Sequence, residues 1–346
     1  MTTTAEVVKK RKKFPPKKDT PSPEHNHTLI KHVDFGETFT GIYYAEAVYQ
    51  KTARNGNKYT DLTLRDKSGS SFVRFWGIVK CLKGDYVAIS ANVEEYMGQK
   101  QIVASQVKTV DVPNDMDDYI ESSDSTEDDW KTIQDAIKQF REGDFDPTCL
   151  ALLDQIFENE AFVDRFRSCP ASMMPHYGKR GGLLRHTVKT YKFVLAMAGD
   201  FDLTKMESDI LMTAALLHGI GVVDAYTFDG CAPTETLKGK LIGDEVLTCI
   251  RVQKNVMSIR ERNEGDDSDR GADPIVVIRL VHAIVAHKGE YKQPMTKEAM
   301  ILHESYRANR DVVDTFDFID QDENTNDEFT AYDPNTRRQY LRGLTL

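Results

Sequence analysis

Cysteine is scarce in this sequence and forms no motif. Five cysteines occur, at positions 81, 149, 169, 231 and 249, and no two of them form a C-x-x-C pair. An odd number without close pairs excludes both a disulfide scaffold and a cysteine-rich zinc knuckle. The sequence therefore predicts a protein of a reducing compartment, and we expect the cytoplasm, either of a bacterium or of the host of a phage.

Long apolar runs and common catalytic signatures are also missing. No uninterrupted hydrophobic run approaches the roughly 18 residues that a membrane span needs, and the charged start MTTTAEVVKKRKKFPPKK lacks the apolar core of a secretory signal. No Walker A string, G-x-S-x-G elbow or H-E-x-x-H motif occurs. We therefore expect no membrane partner, no P-loop nucleotide site and no serine-hydrolase or zincin chemistry.

Positive charge is absent from two segments of the chain. Residues 111–129 and 311–333 each hold nine acids and no Lys or Arg, and removing these 18 acids changes the formal charge from −10 to +8. The remaining chain is therefore mildly basic, which favours an anionic ligand. Residues 9–18 add seven positive charges, typical either of a solvated solubility arm or of a salt-sensitive phosphate-binding arm.

Changes in composition divide the chain into five parts. Residues 1–30 predict a disordered basic tail, residues 113–129 an acidic linker and residues 316–346 an acidic C-terminal segment. The acidic parts would dock a protein partner or compete with nucleic acid for the protein's own basic face. Between them, residues 31–112 have a two-residue hydrophobic period, and residues 130–315 have a helical one.

Residues 31–112 contain five short strand patterns with a turn signal at each joint. The turns are Asn55-Gly56, Ser68-Gly69, Lys83-Gly84 and Met97-Gly98. The strings KYTDLTLRDKSGSSFVRFWG and KGDYVAISANVEEYMGQKQIV resemble an OB-fold of the nucleic-acid-binding kind. The resemblance implies a five-stranded barrel that binds single strands on one face and two loops.

Alternation along residues 71–76 selects the candidate binding residues. It places Phe72, Arg74 and Trp76 on one face, and an arginine is seldom buried without a partner, so we assign this face to the outside. Phe72 and Trp76 would then stack bases beside Arg74, unless Trp76 closes the end of the barrel. A further group, which would contact phosphates or remain solvated turn charge, comprises Lys51, Arg54 and Lys58.

From Trp130 onward the pattern predicts an all-α domain. Five strings there, PHYGKRGGLLRHT, ALLHGIG, GKLIGDEV, IVAHKGE and MTKEAMILHESYRANRD, resemble in order the HD domain of YhaM-type 3′-to-5′ exoribonucleases. Those proteins carry an OB domain before the HD domain, which is the order here. The resemblance implies a multidomain α+β protein, with an N-terminal five-stranded OB barrel followed by an all-α HD-like domain.

The same resemblance implies that the metal ligands are only partly kept. His186 and His218 stand at two ligand positions, but Gly219 replaces the Asp of the His-Asp pair and Tyr306 replaces the later ligand Asp. Losing two carboxylates removes the negative charge that offsets a dication. We therefore treat both histidines as vestigial metal ligands, expect no cofactor and expect a site without hydrolase activity.

An active site with altered ligands is the alternative. In that case Mn²⁺ or another divalent metal would be bound, with Asp224 and Asp244 as replacement ligands. His287, retained from the S-H-H-G-E block, and Lys288, which replaces its second His, would be the catalytic candidates. The protein would then be a metal-dependent 3′-to-5′ exoribonuclease or phosphohydrolase.

A glycine-rich loop over residues 178–182 completes the candidate sites. Lys179 and Arg180 in this loop precede a predicted helix, where backbone N–H groups and two cations favour a phosphate. Taken together, the sequence predicts a protein that binds single-stranded RNA or DNA and resembles an exoribonuclease with an inactive HD site. We also expect the helical domain to support a homo-oligomer.

Overall fold

A computed structural model of the chain describes residues 27–96, 99–113, 117–123, 126–173, 177–263, 272–322, 328–334 and 336–342. Nearly all of the predicted basic tail, including its cationic run over residues 9–18, lies outside the described residues. Five strands come first: β1 (Thr38–Thr52), β2 (Lys58–Asp66), β3 (Gly69–Phe75), β4 (Tyr86–Tyr96) and β5 (Gln99–Val110).

These five strands close into a barrel in the order β1-β2-β3-β5-β4, with β1 paired to β4 to complete the ring. All neighbours are antiparallel except β3 and β5, which run parallel. The predicted five-stranded OB-like barrel is therefore confirmed. The Asn55-Gly56 turn joins β1 to β2, and Gly56 has a φ of 84°, a conformation that side chains other than glycine rarely adopt.

Two-residue alternation decides which side chains fill the barrel. Leu62, Leu64 and Val73 are fully buried, whereas Phe72 and Trp76 are 47% and 57% exposed. The outward assignment of the Phe72 face is thus confirmed. Each buried aliphatic side chain stabilises the barrel by about 1.5–3 kcal/mol relative to exposure.

The second part of the chain is helical. Its helices are α1 (Thr126–Glu142), α2 (Pro147–Phe157), α3 (Glu160–Ser168), α4 (Gly182–Ala198), α5 (Lys205–Leu217), α6 (Val222–Ala225), α7 (Leu237–Ile242), α8 (Asp244–Asn263), α9 (Pro274–Ala286) and α10 (Lys297–Gln321). One large apolar core joins all of these helices except α7, with α4, α5, α9 and α10 packed against one another. This part confirms the predicted helical region that follows the barrel.

Both ends of the helical part differ from the bounds predicted by the sequence. Helix α1 begins at Thr126, four residues before Trp130, and α10 continues to Gln321. Three acids fall in the first turn of α1, where the helix dipole favours negative charge, so the end of the acidic segment is helical.

A short hairpin, which the sequence analysis did not predict, interrupts the helices. It consists of β6 (Tyr226–Asp229) and β7 (Ala232–Glu235). Its turn reaches the barrel, where Cys231 lies within a small buried cluster that includes Tyr44, Tyr86 and Tyr119. Gly230 has a φ of 60°, and a Cβ atom there would lie 2.7 Å from the Tyr44 ring. The hairpin therefore docks the helical part onto the barrel.

The stretch Lys205–Ala225 is long and apolar enough to cross a membrane by length and composition alone. Within this stretch, 83% of its apolar window is buried inside the protein. Leu211, Ala214 and Leu217 are fully buried there in the helical core. The packing identifies this stretch, which comprises α5 and α6, as part of the helical core.

Candidate nucleic-acid interface and histidine pocket

Three aromatic rings surround the guanidinium of Arg74 on the outside of the barrel. Its central carbon lies 5.0 Å from the ring centroid of Tyr59, 5.6 Å from that of Phe72 and 6.0 Å from that of Trp76. The rings of Tyr59 and Trp76 lie 5.4 Å apart. We call these four residues the aromatic cluster. It joins positive charge to exposed π surfaces, a combination suited to unpaired bases.

A buried carboxylate lies beneath this cluster. Asp61 is 1% exposed, and its side chain accepts hydrogen bonds from Arg74 Nε at 2.9 Å and from Lys51 Nζ at 2.9 Å. The hydrogen bonds to Asp61 raise the pKa of both Lys51 and Arg74. Two cations share one carboxylate, so this part of the surface keeps a net positive charge.

The predicted basic turn lies beside the aromatic cluster. Lys51 is paired with Asp61, whereas Arg54 and Lys58 are exposed on either side of Gly56. The sequence analysis missed Tyr59, although the alternation that buries Leu62 and Leu64 also places it outward. It also missed Tyr49 and Tyr96, which are 59% and 60% exposed.

Three histidines from separate helices meet in the helical part. His186 comes from α4, while His218 and His287 follow the last residues of α5 and α9. The Tyr306 ring lies edge-on to all three imidazoles, with centroids 4.7–6.0 Å away. We call this cavity of about 270 Å³ the histidine pocket. The structure thus brings together the predicted His186, His218 and His287.

Two glycines at the start of α4 explain how His186 is positioned. Gly181 has a φ of 79°, and a Cβ atom on Gly182 would lie 2.2 Å from the backbone oxygen of Tyr177. The first glycine permits the turn, and the second permits the close approach of the preceding loop. The backbone at the start of the helix therefore requires the two glycines of the Gly-Gly-Leu-Leu string.

A chain of hydrogen bonds sets the protonation of His186 and His218. The carbonyl of Ala215 accepts from His218 Nδ1 at 2.9 Å, so His218 Nε2 is the acceptor in the neutral ring. His186 Nε2 lies 3.2 Å away and donates to it. His186 Nδ1 then accepts from the Asn309 amide at 3.3 Å. A proton therefore occupies the line between the two Nε2 atoms.

Burial keeps the histidines neutral. It lowers the pKa of His218 to about 4, and it also lowers the pKa of His287, with a smaller contribution from His218. His287 Nδ1 donates to the carbonyl of Ile284 at 2.5 Å. Neutral rings with Nδ1 held by a carbonyl are also the form in which histidine binds metals.

Two cations, Lys288 and Arg310, line this pocket, and Lys288 is the one paired with Asp244. Lys288 Nζ lies 2.8 Å and 2.9 Å from the two oxygens of Asp244 and 3.2 Å from Glu245. Burial alone would lower the pKa of Lys288, but the nearby Asp244 carboxylate and smaller contributions from Tyr306 and Glu245 raise it overall. The ammonium therefore stays charged, and Asp244 is committed to it.

The donor set does not suit a divalent metal. Gly219 lines the pocket without a side chain, and Tyr306 offers a ring. The carboxylates that line it are Asp244, which is paired with Lys288, and Asp314. Within the described parts of the chain, no group of three His, Cys, Asp or Glu residues is arranged as a metal site. A metal bound to both Nε2 atoms would have to displace the shared proton and lie near the Lys288 ammonium.

The other replacement candidate lies elsewhere. Asp224 forms ion pairs with Arg165 and Arg251, and it lines a different surface groove. The described residues that line the histidine pocket do not include Asp224. The structure therefore brings Asp244, but not Asp224, to His186 and His218.

The predicted phosphate loop is paired with the acidic segment. Lys179 Nζ lies 2.6 Å from a carboxylate oxygen of Glu121, and Arg180 lies 2.6 Å from Asp117. Backbone hydrogen bonds also join Arg180 to Glu121 and Ser123. Phosphate binding by Lys179 and Arg180 stays a prediction. It would require a phosphate to displace these carboxylates from the two cations.

The fold and the two sites define a class of protein with an OB-like barrel in front of a helical domain. No protein-family model matches the sequence. The chain is 26% identical over 285 residues to the 3′-5′ exoribonuclease YhaM of Listeria welshimeri, covering 78% of this chain and 84% of that protein. The Listeria innocua YhaM is 25% identical over 284 residues, with the same coverage. The predicted resemblance to YhaM-type exoribonucleases is thus confirmed.

Two solved structures resemble the barrel. The second OB-fold domain of replication protein A from Methanococcus maripaludis is 18% identical, with a TM-score of 0.22, covering 26% of this chain and 99% of that domain. A mitochondrial single-stranded DNA binding protein from S. cerevisiae is 12% identical, with a TM-score of 0.19, covering 22% of this chain and 97% of that protein.

Proposed function

We propose that this protein binds single-stranded RNA or DNA through the outer face of its barrel. The aromatic cluster is the observation that carries this proposal. Base stacking on an aromatic ring contributes about 1–3 kcal/mol per base and needs no particular sequence. Duplex bases are already stacked on one another, so the exposed rings favour a single strand.

The surroundings of the cluster support a nucleic-acid ligand. Lys51, Arg54 and Lys58 place positive charge next to the rings, where it would meet the phosphates of a stacked strand. The relatives are named exoribonucleases, which favours RNA as one ligand. Charged contacts of this kind weaken as salt rises.

We further propose that the histidine pocket does not hydrolyse nucleic acid. Metal-dependent hydrolysis needs a cation held by anionic ligands, which activates a water molecule and neutralises phosphoryl oxygens. Here the Lys288 ammonium pairs with Asp244, and Gly219 and Tyr306 supply no carboxylate. The pocket therefore has an internal cation that repels a dication.

A metal-dependent exoribonuclease with altered ligands is the second candidate. The orientation of His218 and His287 favours it, because both Nδ1 atoms bond to backbone carbonyls. In that case Asp244 would have to leave Lys288 and join His186 and His218 as a ligand.

One experiment separates the two candidates. Fluorescence anisotropy with end-labelled single-stranded RNA, single-stranded DNA and duplex DNA measures binding, and gel analysis of the same mixtures with Mn²⁺ measures degradation. We expect single strands to bind more tightly than duplex and to remain intact. Equal binding of duplex would contradict the stacking proposal, and Mn²⁺-dependent shortening of RNA would contradict the inactive pocket.

We also propose that the helical part forms a homo-oligomer. Exposed apolar side chains that support a contact between copies are Leu237, Leu241, Val246 and Ile250 on α7 and α8. Sedimentation of the parent and of Leu241→Glu tests this, and a parent that sediments as a monomer would refute it.

A further inference from the structure

A groove on the outside of the barrel continues from the aromatic cluster. It has a volume of about 340 Å³, and it starts at Phe72, which also belongs to the cluster. Its lining residues are Lys31, Ser70, Ser71, Phe72, Tyr96, Lys100, Gln101 and Ile102. We call it the Lys31–Lys100 groove. It combines residues from before β1 and from β3, β4 and β5, so it exists only in the closed barrel.

The chemistry of this groove is complementary to a nucleotide. Two of its residues, Lys31 and Lys100, carry positive charge, and none of the described residues that line it is acidic. Ser70, Ser71 and Gln101 add polar groups. Phe72 and Tyr96 present rings that are 47% and 60% exposed. Cations beside exposed rings are the combination that holds a phosphate and its base.

The charge of the surface changes beyond the groove. The adjoining cleft shares Lys31, Ser70 and Lys100 with it, and leads towards the helical part. Besides the shared lysines, its charged lining residues are five acids and two cations: Asp34, Glu46, Glu121, Asp317, Asp320, Arg65 and Lys179. A phosphate backbone would meet increasing negative charge on leaving the groove in this direction.

We infer that the Lys31–Lys100 groove is the terminal nucleotide subsite of the barrel. One nucleotide stacks its base on Phe72 or Tyr96 and places its phosphate between Lys31 and Lys100. The strand runs from the basic turn around Gly56 across the aromatic cluster to this groove, and the acidic cleft ends its path. This inference rests on the proposed binding of single strands, and it adds a subsite whose residues, apart from Phe72, neither the motifs nor the comparisons identify.

The test separates stacking from charge. The probe is a labelled oligouridylate of about 12 nucleotides, within the roughly 4–16 that one OB domain covers. Tyr96→Ala should weaken binding by roughly 5- to 150-fold with little change in salt dependence. Tyr96→Phe, which keeps the ring, should bind like the parent. Lys100→Gln should reduce the slope of log affinity against log salt by about 0.7.

A matched control is available on the same strand. Lys108 is exposed on β5 and outside the lining of the groove, so Lys108→Gln makes the same charge change and should leave the slope nearly unchanged. If Tyr96→Ala and Lys100→Gln both bind like the parent while Trp76→Ala is weakened, the subsite is refuted and the proposed function stands. If the parent itself does not bind the probe, the proposed function fails instead.

Discussion

Asp61 and Arg74 form an ion pair in which the carboxylate is buried and the guanidinium lies among three rings, those of the exposed Phe72 and Trp76 and of the half-buried Tyr59. Their closest atoms, Asp61 Oδ1 and Arg74 Nε, are 2.9 Å apart. The pairing holds the guanidinium in place, where it contacts the rings of Tyr59, Phe72 and Trp76. Arg74 therefore acts first as a positioning residue. Lys51, on the same carboxylate, is 50% exposed against 24% for Arg74, so it is the more accessible of the two to a phosphate.

Removing the charge of Asp61 should disorder the aromatic cluster. We expect Asp61→Asn to weaken single-strand binding and to shift the emission of Trp76, because the amide pairs with two cations far less strongly than a carboxylate. A Trp130→Phe background leaves Trp76 as the only tryptophan. Asp118→Asn, which breaks the exposed pair with Lys67, is the matched control. Unchanged emission and affinity in Asp61→Asn would show that the rings hold Arg74 without the carboxylate.

Trp76 should carry stacking energy. It is 57% exposed at the end of β3, so Trp76→Ala removes little from the core and should leave the barrel folded. We expect a loss of about 1–3 kcal/mol in binding free energy if the ring stacks one base. Anisotropy titrations of the parent and of Trp76→Phe provide the comparison. Parent-like affinity in the folded alanine variant would assign the ring a structural role only.

The two sites differ in how much of their geometry could be predicted from the sequence. Alternation grouped Phe72 and Trp76 with Arg74, and the charge of Arg74 placed that face outward, since a barrel strand has only one core face. It could not show that Asp61 would hold both Lys51 and Arg74, because that contact joins residues from three strands. Nor could it pair Lys179 with Glu121, since the acidic segment has no periodic pattern that would fix its path.

The histidine pocket shows the same limit. Motif order identified His186, His218 and His287 together, because each motif marks a helix end that faces the same core. Asp224 lies close in sequence to His218, but its partners in the fold are Arg165 and Arg251. Contacts with side chains from distant helices, rather than sequence distance, decide which carboxylate enters the pocket.

Acid should destabilise the helical part through its buried histidines. The folded pKa of His218 is about 4, below the ordinary value of 6.5, so the unfolded chain binds a proton more readily as the pH falls. This contribution to stability is complete above pH 6.5 and is lost progressively towards pH 4. The loss in the free energy of unfolding should approach about 3 kcal/mol at pH 4, the lower end of this range. Urea denaturation at several pH values measures it, with His218→Gln expected to flatten the profile. A parent curve that is flat between pH 6.5 and 4 would contradict neutral burial.

The acidic segment should restrain the phosphate loop. Glu121 pairs with Lys179 at 2.6 Å and lies 3.8 Å from Arg65, so Glu121→Gln releases positive charge near the domain junction. We expect tighter binding of single strands at low salt, with the gain vanishing as salt rises. Asp118→Asn removes the same charge three residues away and should give a smaller gain. Equal or weaker binding by Glu121→Gln would show that the Glu121–Lys179 ion pair only stabilises the contact between the two parts of the chain.

The metal content of the protein decides between the inactive and the active pocket. Protein purified without chelator should contain far less than stoichiometric divalent metal, because a proton lies between His186 and His218 and Lys288 supplies the local positive charge. Gly219→Asp combined with Tyr306→Asp would return two carboxylates, and we expect this variant to bind Mn²⁺ more tightly than the parent by calorimetry. A Cβ atom on residue 219 would lie 3.2 Å from Leu183 Cδ1, so thermal denaturation must first show that the variant folds.

Stoichiometric Mn²⁺ or Fe²⁺ in the parent, with RNA degradation abolished by His186→Ala, would refute the inactive pocket. Asp244→Asn would then test whether Asp244 leaves Lys288 to bind the metal.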